Sequence, residues 1–81
     1  MPVVLRYKGY VFFFYSNEGV PREPLHVHVR RDAASAKVWL EPDALLAESH
    51  GFTAKELREL VKVARDNKLA FATAWKDYFH E

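Results

Sequence analysis

Apolar and polar positions alternate along the first half of the chain and recur every three or four residues along the last third. Residues 25–31 show the alternation best: Leu-His-Val-His-Val-Arg-Arg. Side chains of a strand point alternately to its two faces. Leu25, Val27 and Val29 therefore share one face, and His26, His28 and Arg30 share the other. Residues 34–41 repeat the pattern, with Ala36, Val38 and Leu40 on one side and Lys37, Trp39 and Glu41 on the other. Residues 2–7 are β-branched and aromatic, as strands favour. After the tight turn Lys8-Gly9, residues 10–15 (Tyr-Val-Phe-Phe-Phe-Tyr) are apolar on both faces. Such a strand is usually central or covered on both sides.

The 16–24 stretch, with Asn17, Gly19, Pro21 and Pro24, reads as a loop. Residues 44–48 fit either a helical turn or a short fifth strand. The strand is preferred because Pro42 and Gly51 leave little room for a helix. Thr53 and Glu56 have capping-box spacing, and Leu57, Leu60, Val61, Ala64, Phe71, Trp75 and Phe79 then keep a helical rhythm. With no glycine or proline after Gly51, the expected element is one long helix over 54–79, with a break near Asn67 as the alternative. The fold predicted is α+β: an antiparallel sheet of four or five strands with one amphipathic helix across one face. The other face carries His26, His28, Arg30, Lys37 and Trp39, joined by Arg6 if Leu5 points inward.

At 81 residues the chain is sized for a single domain over 1–81. It has no cysteine, which excludes disulfides and thiolate metal sites. Its N-terminal apolar run is short for a signal peptide, and no stretch has the length of a membrane span, so a cytoplasmic protein is expected. Net charge is +1, which does not by itself argue for nucleic acid. Aromatic residues make up 15% of the chain, and an apolar second strand fits a central position, a homodimer or a partner surface.

Three chemistries compete for the polar face. Histidine moves protons near neutral pH and arginine stabilises charge on a phosphoryl transition state. His26, His28, Arg6 and Tyr15 are thus candidate catalytic residues of a metal-independent, ribonuclease-like site, with Arg30, Lys37 and Trp39 as substrate-binding candidates. Trp39 beside two cations can stack a nucleic-acid base or anchor a protein interface. A His-ligated metal hydrolase needs a third ligand from Glu18, Glu23, Glu41 or His50, and no spacing selects one. No metal site or cofactor is assigned. The plain alternative is that the histidines are polar residues on a solvated or partner-covered face.

The order Leu5-Arg6, Gly9-Tyr10, Phe12 through Glu18, Pro24 with His26-Val27-His28-Val29, Ala36-Lys37, Leu40-Glu41-Pro42, Gly51-Phe52, Glu56-Leu57 and Ala74-Trp75 resembles the small bacterial family called domain of unknown function 4160. The resemblance spans the chain and differs locally between Glu18 and His26. It implies a context: members are often encoded beside a small protein of the family called domain of unknown function 2442, in pairs that look like type II toxin–antitoxin modules. The function expected is a growth-inhibiting toxin that a small antitoxin neutralises, acting on RNA or another phosphate-bearing target. A non-catalytic protein- or nucleic-acid-binding module is the alternative.

Overall fold

The computed structural model describes residues 2–16 and 23–80. Residues 17–22, the middle of the expected loop and with it Glu18, lie outside the described residues. Five strands, β1 (Val3–Tyr7), β2 (Tyr10–Phe13), β3 (His26–Arg31), β4 (Ala34–Trp39) and β5 (Leu45–His50), precede two helices, α1 (Ala54–Asp66) and α2 (Lys68–Phe79). The strands pair in chain order, each antiparallel to the next, as a meander with β1 and β5 at the edges. The α+β class and the fifth strand are as expected, although β5 runs on to His50.

Local chemistry accounts for the turns. Tyr7 pairs with Tyr10, which leaves a two-residue loop. Lys8 and Gly9 have φ of 50° and 82°, the doubly positive pattern whose twist matches paired strands. Asp32, at φ 53°, begins the equally short β3–β4 loop, since aspartate tolerates this region better than most residues. At the start of α1 the Thr53 hydroxyl accepts the Glu56 N–H at 3.1 Å, and the Glu56 carboxylate accepts the Thr53 N–H at 2.8 Å.

The expected single long helix is two. Val63 offers one carbonyl to two donors of Asn67, its backbone N–H at 3.1 Å and its side-chain amide at 2.8 Å. Asn67 therefore caps α1 in a conformation (φ −107°, ψ 15°) displaced from ideal helix, and α2 restarts at Lys68. Asparagine competes with helical hydrogen bonds through its own side chain, so a break needs neither glycine nor proline. β2 is also shorter than expected. Pairing with β3 stops at Phe13, and Phe14 donates its N–H to the Pro2 carbonyl instead.

The two helices cover one sheet face. Phe12, Val27, Val29, Val38 and Leu40 are fully buried there with Leu60 and Ala64 of α1 and Phe71 of α2. The ring centroids of Phe12 and Phe71 lie 5.8 Å apart, and Phe14 meets Trp75 edge-on at 5.1 Å. No described helix is long and apolar enough to cross a membrane. Because Phe71 joins α2 to the middle of the sheet, Phe71→Ala should cost about 3–5 kcal/mol from lost burial and the cavity left behind. Equilibrium urea unfolding reads this directly; a loss below about 1 kcal/mol would mean that α2 is not part of the core.

Candidate functional site

The sheet face away from the helices is organised by cross-strand register. One row runs Phe13–His28–Lys37–Glu48, and a second joins Arg6, Val11, Arg30, Ser35 and His50. A third joins His26, Trp39 and Leu45. The five strands thus bring His26, His28, Arg30, Lys37 and Trp39 to one side, as the alternation of β3 and β4 predicts.

The two histidines have different surroundings. His26 is fully buried. Its ring centroid lies 5.1 Å from that of His28, 5.5 Å from Trp39 and 5.3 Å from Trp75 of α2. Its Nδ1 is 2.9 Å from the Pro24 carbonyl. A carbonyl only accepts, so Nδ1 is the donor of this bond. His26, a catalytic candidate in the sequence, presents no exposed surface in this arrangement. His28 is half-buried, stacked on Phe13 at 5.5 Å and met edge-on by the exposed Tyr15 ring at 4.5 Å.

The cations divide in the same way. Lys37 Nζ lies 4.4 Å over the Trp39 ring and 3.1 Å from Glu23 Oε1. The Arg30 guanidinium sits 5.4 Å over Phe13, whose ring is 3% exposed although it faces away from the helices. Phe13 is covered by its polar and aromatic neighbours instead. Arg6 shares the face, two strands and one row from His28, with His26 a further row away. It does not line the groove that His28 lines.

A groove of about 140 Å³ lies over β3, β4 and β5, lined by Tyr15, His28, Ser35, Lys37, Glu48, Ser49 and His50 among others. Small-molecule pockets are usually about 300 Å³ or more, so this groove suits a functional group and not a whole large ligand. Ser35 and Ser49 were not legible as site residues, and His50 was offered only as a possible third metal ligand. The available signal was parity: Glu48 and His50 are two apart and share a strand face once β5 extends to the glycine.

A larger cleft of about 600 Å³ is lined by Glu23, Pro24, Leu25, Glu41, Trp75 and Lys76 among others. It shares Pro24 and Trp75 with the surroundings of His26, and among the described residues its lining offers carboxylates but no imidazole or hydroxyl. Among the described residues no three His, Asp or Glu side chains are grouped to hold a metal ion; Glu23, Glu41 and His50 do not complete the histidine pair, and Glu18 lies outside those residues. Two lysines are held above their usual range, Lys8 by Tyr7 and then Glu59, and Lys62 by Asp66. Both are fully exposed and neither belongs to the groove. Raised lysines favour the folded state at neutral pH, and that contribution disappears as pH climbs through the raised value.

No curated protein and no solved structure matches the chain. The model of the family described as Domain of unknown function (DUF4160) matches residues 9–76, from the β1–β2 turn into α2 and including Tyr15, His26, His28 and His50; the chain belongs to that family.

Proposed function

We propose that this protein is the growth-inhibiting component of a type II toxin–antitoxin pair, acting on a phosphate-bearing substrate, RNA foremost, at the His28 groove and neutralised by a small antitoxin. One observation carries the reading: an imidazole, a phenol and an ammonium group converge on one small groove on the face the helices leave uncovered. An imidazole supplies proton transfer, and a cation supports charge building on phosphorus. The family's expected pairing with a second small protein supplies the cellular context.

A second reading, binding without turnover, draws on the charges already paired. Glu23 holds Lys37, and Glu48 lines the same groove. A phosphate must displace Glu23 from Lys37 and approach despite Glu48, whereas a protein partner can accept both carboxylates.

Expression of the chain alone should arrest growth, and co-expression of the adjacent small gene should restore it. His28→Ala should keep the fold and reduce activity by about 10²- to 10⁴-fold if the imidazole transfers protons. Full toxicity from a folded His28→Ala protein would leave only the binding reading. The ion pair gives an independent test of opposite sign. Glu23→Gln frees Lys37, so inorganic phosphate titrated into the purified protein should bind on the order of 2- to 5-fold more tightly, in proportion to a partly exposed pair. Weaker phosphate binding in that variant would show that Glu23 supports the anion site and does not compete with it.

A further inference from the structure

The groove holds a second imidazole. His50 ends β5 and pairs across β4 with Ser35, while His28 on β3 pairs with Lys37. β4 therefore lies between the two histidines, and both line the same cavity of about 140 Å³. Two strand spacings and a two-residue offset place their Cα atoms roughly 12 Å apart. A cavity of that volume has room for one phosphate group, with Ser35 and Lys37 of β4 in its lining. Their settings differ. His28 is half-buried against Phe13 and Tyr15, whereas His50 is exposed on an edge strand.

We propose that His28 and His50 are the proton acceptor and proton donor of phosphodiester transesterification in RNA; this rests on the reading of the groove as a phosphate site. His28 takes the proton of a ribose 2′-hydroxyl. The freed O2′ attacks phosphorus, the P–O5′ bond breaks, and His50 gives its proton to the departing O5′. The products are a 2′,3′-cyclic phosphate and a 5′-hydroxyl. One proton enters His28 and one leaves His50, so no oxidant, reductant or water molecule is consumed, and exchange with solvent resets both rings. Exposure suits His50 to the donor role because an exposed imidazole regains its proton from solvent without rearrangement. Lys37, once drawn from Glu23, faces the phosphoryl oxygens, where added negative charge appears in the transition state. The nucleophile belongs to the substrate, so RNA is cleaved and DNA is not.

The test uses the purified full chain and a deoxyoligonucleotide containing one ribonucleotide. Cleavage is expected on the 3′ side of the ribose with a 2′,3′-cyclic phosphate end, while the all-deoxy strand stays intact. His50→Ala should slow cleavage by about 100-fold or more. On the same oligonucleotide with sulfur in place of the bridging O5′, the defect should shrink to less than about 5-fold, because a thiolate leaves without a proton. His28→Ala should slow both substrates. A His50→Ala defect equal on the two linkages, or no defect, overturns the donor assignment. Growth arrest that depends on His28 without any RNA cleavage overturns this chemistry and leaves the toxin reading standing; RNA cleavage without growth arrest does the reverse.

Discussion

The buried imidazole of His26 is the constraint on which this face of the sheet depends. A buried polar group without a partner costs about 1–3 kcal/mol, and His26 meets that requirement through the Pro24 carbonyl. The bond ties the start of β3 to the segment before it. The ring then packs on Trp39 of β4 and Trp75 of α2. One side chain thus joins the third strand, the fourth strand and the second helix. His28 stands on the same strand face, its ring centroid 5.1 Å away, so its position follows from that of His26. Pro24 contributes further by restraining Glu23 to extended backbone, from which Glu23 reaches Lys37.

Covering only one face with helices creates a second problem, which side chains solve locally. Phe12 and Phe14 point to the helices, and Phe13 does not. The Phe13 ring is nonetheless almost wholly buried, beneath His28, Tyr15 and Arg30. The residues that cover Phe13 therefore serve structure, and replacing one uncovers an aromatic ring. Electrostatic balance works in the same double way. The Lys37–Glu23 pair holds a cation over Trp39, and in the proposed reading an incoming anion competes with Glu23 for it.

Where a feature depends on local pattern, it was legible. The period-two alternation of Leu25 to Arg30 and of Ala36 to Trp39 predicts both strands and both faces, and Thr53 with Glu56 marks the start of the first helix. Features set by distant contacts or by competition between nearby groups were not legible. The break between the helices comes from an asparagine amide reaching back to Val63, a choice that the helical rhythm on either side conceals. The burial of His26 depends on Trp75, 49 positions further along in the printed sequence (75 − 26). His50 enters the groove because β5 pairs with β4 through a register shift beside Lys37 and Val38, and a shifted register cannot be read from one strand alone. Family resemblance identified the histidine stretch as characteristic but did not separate the surroundings of its two rings.

That separation, a buried His26 against the His28 and His50 imidazoles that line the groove, is the central claim. Brief treatment of the native protein with diethyl pyrocarbonate, followed by peptide mass spectrometry, tests it most directly, with exposed His80 as the internal reference. The account predicts early modification of His28 and His50, loss of activity in step with His28, and no modification of His26 until the protein is unfolded. Modification of His26 at the rate of His28 in the folded protein would contradict it.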